Sequence, residues 1–280
     1  MAQRKNLCRL LSTAWPMIFL SKDGKDPYIN MFAQGCNIKT TSTDDFNYND
    51  STDSIVLRGI LKKKWMHQCW EDARTFYYMD TGYFGNERTD SNPNGWKYWH
   101  RIVKNDLQHS EIVPRKDDRF KHFNKKFQSW KKDGRKILVA KPDEKPMRFY
   151  DYDLDIWLEH TVNEIKKYTD RPVVVRERAP KRLDRTVNNT LEQALNDDVF
   201  ALVTFNSVAA TEAVFQGIPA FTLAPANAAS PVSLQDLSKI NEPYYPDQDK
   251  LYAWACHLSY GQFHNSELRN GKAMEILLNG

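Results

Sequence analysis

Short apolar runs and helically spaced apolar positions alternate along most of the chain. "PMIFLSK" (16–22) and "DSIVLRGI" (53–60) are continuous apolar stretches bounded by polar or turn residues, the pattern of buried strands. "LKKKWMHQCWEDAR" (61–74) spaces Leu61, Trp65, Met66, Cys69 and Trp70 as one face of a helix. "TFYYMD" (75–80) then returns to a strand pattern. Strand, helix and strand in that order form a βαβ unit, which predicts parallel pairing. The polar, turn-rich stretch 87–94 predicts a mobile loop, and 96–113 predicts short strands. The basic and aromatic stretch 115–135 carries no clear periodicity.

A second alternation begins at "KILVAKP" (136–142), a strand, followed by the amphipathic helix "LDIWLEHTVNEIKKYT" (154–169) and the strand "RPVVVRERAP" (171–180). The helix "NTLEQALND" (189–197), the strand "VFALVTFN" (199–206), a small-residue helix after Ser207 and the strand "IPAFTLA" (218–224) continue it. Helices near 250–263 and 265–278 follow, in which Trp254, Leu258 and Tyr260 read as packing residues. This β-α-β-α-β-α-β order predicts a doubly wound domain. The fold expected is α/β, with two Rossmann-like domains facing a central cleft: 1–130, and 131–280 with its closing helices.

Composition narrows the function classes. Hydrophobic residues make up 41% and charged residues 27% of the 280 residues, and the mean hydropathy is -0.69. No apolar run approaches the roughly 20 residues that span a bilayer, so no membrane insertion is expected. The N-terminal stretch has Arg4, Lys5 and Arg9 but is interrupted by Arg9 and Pro16, which argues against a signal peptide. The cysteines at 8, 36, 69 and 256 form no CxxC pair, so buried thiols and a cytoplasmic location are expected. The net charge of +4 is uneven: residues 97–136 hold thirteen Lys/Arg against five Asp/Glu, so this window carries +8 and the rest -4. Such a stripe suits a polyanion, or is a solvated surface.

In doubly wound sheets ligands bind beyond the carboxyl ends of the strands. Ser207 stands where a strand gives way to a helix, a place where backbone N–H groups attract phosphate. Asn206 adds a donor, Val208, Ala209 and Ala210 let a ligand approach, and Glu212 is placed to accept from ribose hydroxyls. Ser207 as a plain helix cap and Glu212 as a plain surface charge remain the alternatives. Arg176, Arg178, Lys181, Arg182 and Arg185 follow one strand, and Lys141 ends another, where cations would neutralise a diphosphate. Asp80 ends "FYYMD" before a Gly-rich turn, either as a general base or as a turn former. Arg58, His100 and His109 are secondary candidates. "DYDLD" (151–155) precedes a helix, where Asp is favoured, so it reads as a helix start and no metal is required.

The order Ser207, small residues, "TEA" (211–213) and "GIPAF" (217–221) resembles the donor-binding segment of GT-B glycosyltransferases, capsule-type and phage-encoded DNA-modifying members above all. The close match covers about 20 residues, with the second half similar in layout. The resemblance implies that this helix holds the phosphates of a nucleotide-sugar co-substrate and that Glu212 holds its ribose. It implies a cation such as Arg176 or Arg178 for the leaving diphosphate, and an acceptor-side base, for which Asp80 is the candidate. The Gly-rich loop that many such enzymes carry before the helix is absent here, which leaves the phosphate grip open.

The acceptor follows from the basic stripe. Trp96, Tyr98, Trp99, Phe120, Phe123, Phe127 and Trp130 lie among its cations, so aromatics would stack on bases while Lys97, Arg101 and Arg119, with Arg58 and His100, track phosphates. Taken with the resemblance to phage-encoded DNA-modifying members, that pattern implies an acceptor of double-stranded DNA carrying hydroxymethylated bases, modified in a host cytoplasm. The alternatives are a capsular or surface polysaccharide acceptor, and a non-enzymatic nucleic-acid-binding protein on a transferase scaffold. Equally, the aromatics are core residues.

Overall fold

The structure, a computed structural model, describes residues 16–61, 64–86, 97–177 and 190–279. Arg4, Lys5, Cys8 and Arg9, the loop 87–94, Trp96, Arg178, Lys181, Arg182 and Arg185 lie outside the described residues. The chain divides into two compact units, one made of the described residues of 1–107 and 259–280, the other of 108–258. Each is a mixed α/β unit with one sheet. The position near 130 expected as a boundary falls inside the second unit.

In the first unit the strands are β1 (Met17–Ser21), β2 (Thr40–Ser42), β3 (Ser54–Arg58), β4 (Phe76–Thr81), β5 (Trp99–Lys104) and β10 (Gln262–His264). They form one sheet in the order β10-β5-β4-β3-β1-β2. The four strands β2-β1-β3-β4 pair in parallel, as the βαβ reading predicts, with Phe19 opposite Val56 and Leu57 opposite Tyr78. β5 and β10 extend the sheet antiparallel.

Helix α1 (Pro27–Gly35) links β1 to β2 and was not legible in the periodicity. Its start is chemically explicit: Asp26 Oδ1 accepts from the Tyr28 and Ile29 N–H groups at 3.0 and 3.1 Å, and Pro27 fills the first helical position. It buries Tyr28, Ile29, Phe32 and Ala33 on one face. Phe263, Leu268, Ala273 and Met274, from the far end of the chain, join the same core. The expected helix 265–278 is two, α9 (Asn265–Arg269) and α10 (Lys272–Asn279), broken at Gly271 with φ +83°. Helix α2 (Trp65–Glu71) precedes β4.

The second unit carries β6 (Lys136–Ala140), β7 (Val173–Arg176), β8 (Val199–Thr204) and β9 (Ala220–Thr222), all parallel, in the order β7-β6-β8-β9. Every residue of β8 is buried, as expected for a central strand covered on both faces. The helices are α3 (Asp118–His122), α4 (Glu144–Phe149), α5 (Leu154–Lys166), α6 (Leu191–Asn196), α7 (Ala209–Phe215) and α8 (Gln248–Tyr260). Asp153 caps α5 by accepting from the Asp155 and Ile156 N–H groups, so "DYDLD" is a helix start. Trp157, Thr161 and Ile165 form the buried stripe of α5; a fully buried side chain such as Ile165 contributes roughly 1.5–3 kcal/mol. Cys36, Cys69 and Cys256 are buried free thiols.

Candidate functional site

Both units lay their parallel strands in the same order. The first strand is central, the second joins one side, and the third crosses to the other side. The strand order therefore reverses between the first and third strands, and a crevice opens at their carboxyl ends. In the second unit this point lies between β6 and β8. Thr204 Oγ1 closes it from below by donating to the Ala140 carbonyl at 2.9 Å. Lys141 leaves β6 directly above and pairs with Glu177 at 2.8 Å. The hydrogen bond with Glu177 raises the Lys141 pKa and lowers that of Glu177. Arg176 ends β7, and its carbonyl accepts from the Lys141 N–H at 3.0 Å. Arg178 lies outside the described residues.

The Asn206–Ser207 turn follows β8. Asn206 is buried, and its carbonyl accepts from Gln108 Nε2. The other end of that amide, Gln108 Oε1, accepts from the Ala228 N–H at 2.9 Å, and Asn227 Nδ2 donates to the Ser207 carbonyl at 3.4 Å. Ser207 Oγ accepts from the Ala209 N–H at 3.2 Å and the Ser207 carbonyl from the Ala210 N–H at 3.2 Å, so Ser207 shapes the turn that leads into α7, whose cap position is Val208. The small residues have a packing reason: Ala209, Ala210, Thr211, Ala213, Val214 and Phe215 are all buried. Glu212 alone in the helix is partly open, with 30% side-chain exposure, and pairs with Lys125 at 3.4 Å. Lys125 Nζ also lies 5.0 Å from the centre of the Phe215 ring. Gln108, Lys125 and Asn227 were not singled out in the sequence, because their contacts span long separations with no motif to announce them.

The first unit gathers Arg58, Asp80, His100 and Arg101 at the same end of its sheet. Arg58 ends β3 at the crevice beside β1; it pairs with Asp26 at 3.1 Å and lies 4.6 Å over the Tyr28 ring. His100 packs on the same Tyr28 ring, with centres 4.1 Å apart, and its Nε2–H donates to the Lys97 carbonyl at 3.3 Å. Asp80 accepts from the Tyr78 hydroxyl at 2.7 Å, the Thr81 N–H at 2.7 Å and Arg101 Nη2 at 3.2 Å. Burial pushes its pKa up, but the Arg101 guanidinium and these donors outweigh it and hold the carboxyl below its ordinary range. A carboxylate so held is ionised at neutral pH and a weak base.

Arg101, expected to track phosphates, is turned inward. Its side chain is 8% exposed and is spent on Asp80, the Leu107 carbonyl at 3.1 Å and the Thr81 carbonyl at 2.5 Å. Trp99 packs near His264, with ring centres 5.2 Å apart, and its backbone bonds the Asn86 amide. Of the expected base-stacking aromatics Phe120 is buried, Trp99, Phe123, Phe127 and Trp130 are half-buried and Tyr98 is exposed; Phe127 stacks on Phe215 at 4.6 Å, Phe120 lies 6.2 Å from both, and Trp130 Nε1 donates to the Pro246 carbonyl at 3.0 Å. The stripe itself is divided, with 97–107 in the first unit and 108–136 in the second. Several of its cations meet acids: Lys121 with Asp117 at 2.8 Å, Arg135 with Asp198, and Lys136 with Asp197. Arg119 sits half-buried on α3.

His109 belongs to the second unit, where its ring lies 5.5 Å from that of buried His257. His257 Nδ1 accepts from the Val113 N–H at 3.3 Å. Burial, then the Arg115 charge, push His257 down to about 4; burial, then Arg58, do the same to His100. The sign of the linkage is definite. The unfolded chain takes these protons near pH 6.5 and the folded chain refuses them until about 4, so stability is full above pH 6.5 and is lost as pH falls through that window. At pH 5 each histidine costs about 2 kcal/mol. Urea midpoints at pH 7.5 and 5 should show this loss, and His257→Phe should reduce it. An unchanged pH slope in that variant would remove His257 as a cause.

No family model matches the chain, and no curated protein matches it. Solved structures with a similar fold include the β-Kdo 2,4 transferase of Thermosulfurimonas dismutans KpsC. It is 10% identical with a TM-score of 0.48, over 86% of this chain and 89% of that one. The β-Kdo 2,7 transferase of the same KpsC is 11% identical with a TM-score of 0.46, over 94% of this chain and 99% of that one. At this level of likeness no residue's role carries over. Among the described residues, no helix is long and apolar enough to cross a membrane, and no group of three or more His, Cys, Asp or Glu is placed to hold a metal ion.

Proposed function

We propose that the protein is a glycosyltransferase that moves a sugar from a nucleotide-linked donor to a hydroxyl of a saccharide acceptor, as in capsule or surface-glycan assembly. The donor is read onto the second unit, at the carboxyl ends of β6 and β8. The observation that carries this reading is Glu212. Every other residue of α7 is buried, so packing explains the helix but not a partly exposed carboxylate within it. A ribose diol would take its place beside Lys125 and donate to the Glu212 carboxylate, while Lys141 and Arg176 would face the diphosphate. The first unit takes the acceptor, with Asp80 ionised and able to accept a hydrogen bond from the attacking hydroxyl. Its depressed pKa favours orienting that hydroxyl over storing its proton. A saccharide acceptor is preferred over a DNA base because Arg101 and Phe120 of the basic stripe are buried and Lys121, Arg135 and Lys136 are paired with acids.

A thermal-shift screen against sugar nucleotides tests the class. A true donor at about 100 times its Kd adds about 2.7 kcal/mol to stability. Silence across uridine, cytidine, guanosine, adenosine and thymidine sugar nucleotides would end the reading. Label appearing in hydroxymethylated duplex DNA instead of oligosaccharide would overturn the acceptor only. Glu212→Ala should weaken the stabilising donor about 10-fold or more while costing the ligand-free protein under about 1 kcal/mol, since its ion pair is partly exposed.

A further inference from the structure

Tyr152 stands out at the crevice of the second unit. It precedes the capping Asp153, and its N–H donates to the Met147 carbonyl at 2.9 Å, which fixes the loop. One side of its ring rests on Phe205, the residue directly after β8, with ring centres 5.0 Å apart and planes at 59°. Trp157 meets the same Phe205 at 5.7 Å, so Tyr152 and Trp157 staple the start of α5 onto the end of β8. Stapling uses one side of the ring. Yet Tyr152 stays 44% exposed, while Trp157, which does the same packing work, is 8% exposed.

The position matters as much as the exposure. Tyr152 is held on the residue that follows the third-laid strand, beside the point where the strand order turns, and the Asn206–Ser207 turn comes next in the chain. Parallel sheets of this order hold flat, nucleotide-like rings at that point. An aromatic face presented there, rigid because its back is packed, offers stacking at little entropic cost.

We propose that the open face of Tyr152 is the platform on which the base of a nucleotide stacks, with the phosphates running toward the Asn206–Ser207 turn. This rests on the sugar-nucleotide reading above and specifies which side chain holds the base. Stacking tolerates any base, so the platform sets affinity and leaves base identity to other contacts. Removing such a platform costs about 5-fold to 100-fold in affinity.

The test is calorimetric titration of the full chain with UMP, CMP, AMP and GMP, with ribose 5-phosphate as a base-free probe. Tyr152→Phe should keep wild-type affinity. Tyr152→Leu, which still packs on Phe205, and Tyr152→Ala should each lose about 10-fold or more for the nucleotide that binds best, with ribose 5-phosphate unchanged. Wild-type affinity in Tyr152→Leu and Tyr152→Ala overturns the platform and leaves the transferase reading standing. An equal loss for ribose 5-phosphate also overturns it, since the site would then have been distorted rather than stripped of a ring. Absence of binding by the wild-type chain to all four nucleotides overturns both readings together.

Discussion

Gly217→Ala is expected to cost about 3 kcal/mol or more, a large share of the roughly 5–15 kcal/mol that holds a domain folded. Gly217 has φ +70°, a conformation that a residue with a Cβ rarely adopts. It closes a Schellman motif: its N–H donates to the Val214 carbonyl at 3.1 Å and the Ile218 N–H to the Ala213 carbonyl at 2.9 Å. A Cβ added there would lie 2.1 Å from the Ser129 carbonyl oxygen. The strap that carries Ser129 is bonded on both sides, Gln128 N–H to the Phe215 carbonyl at 2.9 Å and Lys131 N–H to the Gly217 carbonyl at 2.7 Å. Moving it would break those bonds and unseat Phe127 from Phe215. Chemical denaturation gives the cost. Gly217→Asn separates its two parts, because Asn tolerates the left-handed conformation but carries the same Cβ. A rescue by Asn would place the cost in the backbone angle; a melting temperature for Gly217→Ala within a degree of wild type would refute the close approach altogether.

Arg101→Met should destabilise by about 3–5 kcal/mol, as expected when one member of a buried charged network is removed. Among the groups that lose a partner or neighbour are Asp80, the carbonyls of Thr81 and Leu107, and the Tyr78 and Tyr83 rings at 5.7 and 5.6 Å from the guanidinium. Lysine should not rescue, since one ammonium cannot reach three acceptors arranged for a planar fork. The Asp80 pKa should move up, so the acid limb of the stability profile should shift. In the wild type its depressed pKa contributes stability above the ordinary carboxylate range that is lost as pH falls through the lower, folded value. Equilibrium unfolding and its pH dependence are the measurements. A variant that keeps full stability but loses salt-sensitive binding to duplex DNA would restore Arg101 to a polyanion surface.

These two residues mark where reading the chain alone succeeds and fails. Gly217 was legible as a helix stop, because its role begins in local backbone geometry. The strands were legible for a similar reason: "VFALVTFN" and "KILVAKP" are apolar without interruption, as strands covered on both faces must be. Arg101 was not legible. It lies on a strand within a basic stretch, and only pairing with β4 turns it inward onto Asp80. The packing of Phe120 and Phe127 against Phe215 was not legible either, since a segment with little secondary structure of its own announces no buried face. Strand β2 has three residues and depends on β1 for its partner. At the candidate site, the chain alone makes Ser207 and Glu212 candidates, while Lys125, 87 residues from Glu212, is hidden by distance along it.

The edge strand β10 imposes an order on synthesis. It pairs Gln262 with Arg101 and Phe263 with His100 across some 160 positions of chain. The second unit is continuous from 108 to 258 and is translated whole before β10 exists. Until then β5 offers an unpaired rim, and α1 lacks Leu268 and Met274 over its apolar side. Nascent chains should therefore pass through a stage with one finished half and one sticky half, the stage at which a chaperone or a misplaced strand has its opening.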